Sequence, residues 1–152
     1  MALSRELERI ENTIIGIHRE IFGESPSPMK LQKLCYYAQG YAIAGGRELF
    51  PEDFQAWQHG PVVPALYAKY SEYKWRQIDC DVAEPYELEH EYLRMIVSAY
   101  GRYDGAALST MTHRETPWIE ARGDLDESEG SNATISKGSL RTFFEAKLRA
   151  NG

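Results

Sequence analysis

Leu3, Leu7, Ile10, Ile14, Ile17 and Ile21 follow one another at alternating steps of four and three, the spacing that lays apolar side chains along one stripe of an α-helix. Glu6, Glu8, Arg9, Glu11, Arg19 and Glu20 fill the positions between. The pattern predicts an amphipathic first helix ending near Gly23, charged on its outer faces. Such a stripe builds a core or a helix-pairing seam, and could support a homo-oligomer. A second helix follows in "SPSPMKLQKLCYYAQGYAIAGG", where Ser27 is placed as N-cap, Pro28 takes the first helical position, and Gly45 and Gly46 supply the stop. Leu31, Leu34, Cys35, Ala38 and Ala42 share one face. Lys30, Lys33, Tyr36, Tyr37 and Tyr41 form another, basic and then aromatic, which predicts solvated lysines with tyrosines at the edge of the core, or an interface.

Further along, "GRELFPEDFQAWQHG" is short and broken by proline, and Phe54, Ala56 and His59 alternate with polar positions as a short strand would, with "WRQIDCDV" (Trp75 to Val82) as its expected partner. After the His-Gly-Pro corner, Val63, Leu66, Tyr67 and Tyr70 recur at helical spacing behind Pro61 or Pro64. Pro85 opens a helix whose predicted core stripe is Leu88, Tyr92, Met95, Ile96 and Ala99, with Gly101 at its end. Asp104 caps a short helix through Met111, and Thr116 with Pro117 starts another turn carrying Trp118 and Ile119. The acidic, Gly/Ser-bearing "GDLDESEGSN" is expected to be a mobile surface loop. Ser136 then caps a last helix, Ile135 and Leu140 are placed as a hydrophobic staple, and Phe143, Phe144 and Leu148 follow. The expectation is a mainly α (α+β) fold: a compact bundle of five to six helices with a small two- or three-stranded β element.

The 152 residues suit a single domain spanning 1–152, long enough to bury about 68 to 70% of its unfolded surface without disulfides or metal. Seventeen basic against 23 acidic residues give a net charge of −6. With no Lys/Arg run to neutralise phosphates, direct nucleic-acid binding is not expected. A basic protein partner suits this charge better. The N-terminal stretch is charged too often for a signal peptide, and no apolar run approaches the roughly 20 residues of a membrane span. A cytoplasmic protein with reduced thiols is the reading.

Candidate chemistry is sparse. His59 could act as a base, but needs an orienting carboxylate such as Asp53 or Glu115; the competing role is an imidazole hydrogen-bonded to fix the corner. In "LSTMTHRETPW", Ser109 and His113 are four apart and Glu115 could accept from the imidazole, yet no nucleophile elbow or glycine-built oxyanion loop accompanies them. His18, His59, His90 and His113 never pair at metal-ligand spacing with one another or with a cysteine, and read as solvated or corner histidines. Cys35 reads as an inert small hydrophobe, and Cys80 sits between aspartates that would raise its pKa. No cofactor, no metal and no catalytic residue are expected.

Three segments carry a resemblance: "SPMKLQKLCYYAQGYAIA", "FQAWQHGPVVPALYAKY" and "LSTMTHRETPW". Taken together, in this order and spacing, they resemble the Panacea domain, also called the SocA-like antitoxin domain of phage-associated proteins, over Ser25 to Trp118. Lys30, Leu31, Lys33, Leu34, Tyr36, Tyr37, Trp57, His59, Gly60, Pro61, Val62, Leu66, Tyr67, Leu108, Ser109, His113, Pro117 and Trp118 match its pattern. Cys35 departs from it, standing where a larger aliphatic residue is common. The resemblance implies an antitoxin of a type II toxin–antitoxin pair, binding a cognate protein toxin, with the motif residues serving as scaffold or partner contacts. Three alternatives remain open: an adaptor delivering a toxin to an AAA+ protease, a phage-borne interaction protein without a toxin partner, and an enzyme using His59 or His113 to reverse a toxin's modification.

Overall fold

In the computed structural model, which describes residues 2–151, the first helix, α1, runs Arg5–Phe22. Its start is fixed by Ser4, whose hydroxyl oxygen accepts from the Leu7 N–H at 3.0 Å, and its end by Gly23, at φ +74°. Only glycine adopts that left-handed turn freely. Leu7, Ile10, Ile14 and Ile17 are buried as the stripe predicts. Glu11, Asn12 and Thr13 are buried too, against the expectation of a charged outer face. The cause is a second cover on α1. The segment 71–86, expected to supply a strand from Trp75 to Val82, forms no strand and lies along the helix instead. Asn12 Oδ1 accepts from Ala83 N at 3.2 Å, Thr13 Oγ1 from Tyr86 N at 2.8 Å, and Arg19 donates to the Cys80 carbonyl at 2.6 Å. These helix side chains satisfy backbone groups that a sheet would otherwise have paired.

Helix α2, Pro28–Ala44, begins at the predicted Ser27 cap and is the axis of the molecule. Every residue from 31 to 40 is buried. Around it pack α1, α4 (Glu87–Tyr100), α5 (Gly105–Thr112) and α7 (Lys137–Asn151), while α3 (Pro64–Tyr70) and the sheet close the remaining side. The middle of the basic and aromatic face is therefore core, Lys33 being 1% exposed and Tyr36 and Tyr37 0%, while Lys30 and Tyr41 at its two ends are half-buried. α6 (Thr116–Arg122) makes a full short helix of the turn expected at Thr116, so the described residues hold seven α-helices.

The β element is a three-stranded antiparallel sheet of β1 (Phe54–Trp57), β2 (Gly60–Val62) and β3 (Thr134–Ile135), in the order β2-β1-β3. Trp57 pairs with Gly60, so Gln58 and His59 are the two-residue loop of a tight hairpin, and Phe54 pairs with Ile135. Ile135 thus does two jobs, pairing as strand and stapling against Leu140, each residue 1% exposed. The Ser136 cap holds, accepting from Ser139 N at 2.9 Å, as does that of Asp104, accepting from Ala107 N at 2.8 Å. Among the described residues no helix is long and apolar enough to cross a membrane.

In α4 the buried stripe is Leu93, Ile96 and Val97, not the Leu88, Met95 and Ala99 of the predicted one. The helix is rotated because Tyr92 reaches over to donate to the Ala38 carbonyl at 2.6 Å and Tyr100 stacks on Tyr37 with ring centroids 3.9 Å apart. Leu88 and Met95 are left 84% and 67% exposed. Leu88→Ala should accordingly leave the free energy of urea unfolding within about 0.5 kcal/mol of the parent, the usual range for surface changes. Leu93→Ala should cost about 2–5 kcal/mol, as a buried leucine does.

Candidate functional site

The three motif segments, separate in sequence, meet at the β1–β2 hairpin. From α2, Gln32 brackets the backbone of Val63, donating to its carbonyl at 3.1 Å and accepting from its N–H at 2.9 Å. From the α5–α6 segment, the carbonyls along the hairpin are taken one after another. Arg122 donates to Ala56 at 3.0 Å, Trp118 Nε1 to Trp57 at 2.8 Å, and the Ser109 hydroxyl to His59. The corner is held, but through the backbone of His59 and not its ring, which is exposed. The expected imidazole hydrogen bond gives way to a peptide carbonyl, the residue standing in the two-residue hairpin loop with its side chain exposed.

Glu115 does not orient a histidine. Its carboxylate accepts from the hydroxyls of Tyr36 at 2.9 Å and Tyr37 at 2.8 Å, tying the start of α6 to the middle of α2. Burial pushes the Glu115 carboxyl above its ordinary value, and the two tyrosine hydrogen bonds pull it part of the way back. His113, left without that carboxylate, stacks on Trp118 at 4.2 Å between centroids, and burial lowers its pKa. Asp53, the other carboxylate considered for His59, pairs with Lys137 at 2.9 Å. The Ser109, His113 and Glu115 grouping is thus dispersed: among the described residues each side chain has a separate neighbour, and no direct side-chain hydrogen bond joins them.

Leu31, Leu34, Leu66, Leu108, Pro61, Val62, Pro117 and Trp118 are all buried and form the frame beneath the hairpin. Lys30 is half-buried and donates to the Gly101 carbonyl at the end of α4. His18, read as a solvated or corner histidine, is 1% exposed, with Nδ1 against the Glu24 carbonyl at 2.5 Å. Cys35 is wholly buried, and burial raises its thiol well above the ordinary range.

A cavity of about 490 Å³ opens between the first turns of α2, the hairpin and the end of α3. Trp57 and Tyr67 pack edge to face beside it, with centroids 5.1 Å apart, and Met29 and Val62 add apolar wall. Lys33 and His59 also line it, so five motif residues drawn from two segments share one pocket. Gly60 makes room for the lysine. At φ +116°, a Cβ on residue 60 would stand 2.5 Å from Lys33 Cε. Desolvation brings the Lys33 amine down to about 7, and no charged neighbour offsets it. Sequence periodicity misses this residue, since a lysine next to a leucine face counts as solvated; its signal is only its pairing with a glycine 27 positions on, which folding alone brings close. Gln32, Glu115 and Arg122, which do most of the holding, were equally hidden by being polar.

A family model described as antitoxin SocA-like, Panacea domain, matches residues 31–119, more than half of the chain and all three segments that meet here. No curated protein and no solved structure gives a significant match.

Proposed function

Because the chain belongs to the SocA-like antitoxin family, through its Panacea domain, we propose that it is the antitoxin of a type II toxin–antitoxin pair and neutralises a cognate protein toxin by binding it directly. The family match across the converging segments carries this reading. The burial of most motif side chains supports a scaffold role for them, which leaves toxin contact to side chains that face solvent. Leu88 and Met95, seven residues apart on the outer face of α4, offer apolar contact area of the kind a protein partner covers. A net charge of −6 favours a basic partner through steering and complementarity. The protein acts mole for mole in the cytoplasm, by occlusion and without turnover.

Co-expression of the adjacent gene with this one tests the reading. Growth should be arrested by the neighbour alone and restored when the antitoxin is at least equimolar, and affinity purification should recover a stable complex of the two. Rescue with falling toxin levels and no complex would point to delivery to a protease. Substoichiometric rescue would point to an enzyme, and a harmless neighbour would remove the antitoxin reading.

A further inference from the structure

Lys33 reaches the cavity beneath the hairpin with its stem pressed under Gly60, is 1% exposed, and has neither an ion pair nor a hydrogen bond to its amine among the described residues. Burying an ammonium in this way is costly unless an anion pairs with it, because its three donors can be satisfied only by acceptors. The neighbours offer neutral hydroxyls and amides but no anion. No aspartate or glutamate lines the cavity, in a chain that carries 23 of them. The other titratable groups around the amine are His59, Lys74 and the Tyr67 phenol on the cavity wall and His113 behind it, none of them a carboxyl. Most of the remaining wall is apolar, from Met29, Trp57, Val62 and Tyr67, with neutral polar groups from Gln58 and Ser71. An enclosure of about 490 Å³ falls within the size of ordinary small-molecule pockets.

We propose that this cavity is a binding site for a small carboxylate with an aromatic or aliphatic body, the body lying against Trp57, Tyr67 and Met29 and the carboxylate accepting a charge-assisted hydrogen bond from Lys33 Nζ. Such a ligand supplies both things the site lacks, an apolar filling and one negative charge at its floor. Because the free amine titrates at about 7, pairing with a carboxylate raises it, and binding takes up a proton. The sign is definite: uptake is greatest between that value and the raised value of the complex, disappears well below the first and well above the second, and affinity falls as the pH rises through this interval. The site is independent of the antitoxin reading, and its occupancy offers a means of coupling a metabolite to the hairpin.

The test uses the whole protein with 4-phenylbutanoate and its uncharged amide as probes. Calorimetry in two buffers of different ionisation enthalpy should give the carboxylate about tenfold or more tighter binding than the amide, the range expected of a charge-assisted hydrogen bond, with net proton uptake near neutral pH. Lys33→Met, which keeps the stem and removes the charge, should erase the preference, while Lys74→Gln should keep it. Should Lys33→Met fail to fold, NMR of the lysine Cε in the parent protein still decides the matter, since the Lys33 resonance should shift to its protonated position on adding the acid and not on adding the amide. Equal binding of acid and amide, no binding of either at millimolar concentration, or a preference that survives Lys33→Met would overturn the proposal.

Discussion

Gly40→Ala, a change that in an exposed helix interior stabilises by about 1 kcal/mol, is expected to destabilise this protein by about 3 kcal/mol. Position 40 lies in the wholly buried stretch of α2, and the Phe144 ring of α7 is set directly against its backbone. A Cβ there would meet Phe144 Cε2 at 2.1 Å and Cδ2 at 2.4 Å, distances no packed pair sustains. The ring has nowhere to retreat, because Tyr36, Tyr37, Tyr41 and Phe143 surround it with centroids 5.6, 6.1, 4.7 and 5.0 Å away. The strain is therefore specific to one pair, and a double-mutant cycle isolates it. Phe144→Leu alone should cost about 1–2 kcal/mol as the shorter side chain leaves space. In that background Gly40→Ala should become close to neutral, giving a coupling of about 2 kcal/mol or more in urea unfolding. Strictly additive effects would mean that α7 does not lie on Gly40.

That glycine also marks the limit of reading this fold from its sequence. Where structure is decided locally it was legible: the Ser27-Pro28 start of α2, the Gly23 stop of α1, and the Asp104 and Ser136 caps all rest on residues within a turn of each other. Where it is decided by what packs on an element, it was not. Periodicity sorts residues by polarity, so it places Glu11 and Lys33 on outer faces, and the sequence offers Glu115 only as an acceptor for a histidine, although each of the three is buried. Two of the three are held by tyrosine hydroxyls from distant segments, Tyr70 for Glu11 at 2.7 Å and the Tyr36 and Tyr37 pair for Glu115. The segment at 75–82 carries the alternation of a strand but spends it differently: Ile78 is buried, and its N–H donates to the Pro26 carbonyl at 3.0 Å. The family pattern lies on the segments that converge on the hairpin. It gave no hint that Lys33 would be sealed beneath it.

Glu115→Ala should cost about 3–5 kcal/mol, because it strands two buried phenols at once and each orphaned donor carries a penalty of about 1–3 kcal/mol. Both hydroxyls lie in the α2 core, Tyr37 being further fixed by its stack on Tyr100, so neither turns to water. Glu115→Gln separates shape from charge. Its one carbonyl oxygen can serve only one tyrosine while its NH₂ faces the other, so about half of that loss should remain. The pH dependence follows from the direction of the carboxyl's shift. Burial raises Glu115 above the ordinary 4.5, with the tyrosines and Lys147 opposing. A carboxyl whose pKa is higher folded than unfolded adds stability below the unfolded value, and that stability is lost as the pH rises through the folded value. The Glu115 contribution should therefore be lost from about pH 4.5 toward neutrality, while His18 and the half-buried His113, both lowered by burial, act in the opposite direction; relative to the parent, Glu115→Gln, which cannot titrate, should gain stability as the pH rises through this range. Glu11, raised by burial against its bonds to Lys69 and Tyr70, contributes in the same direction as Glu115 and is common to both proteins. Urea unfolding of both proteins across this range measures the difference, and parallel curves would show that the buried carboxyl between the tyrosines is not titrating as its surroundings require.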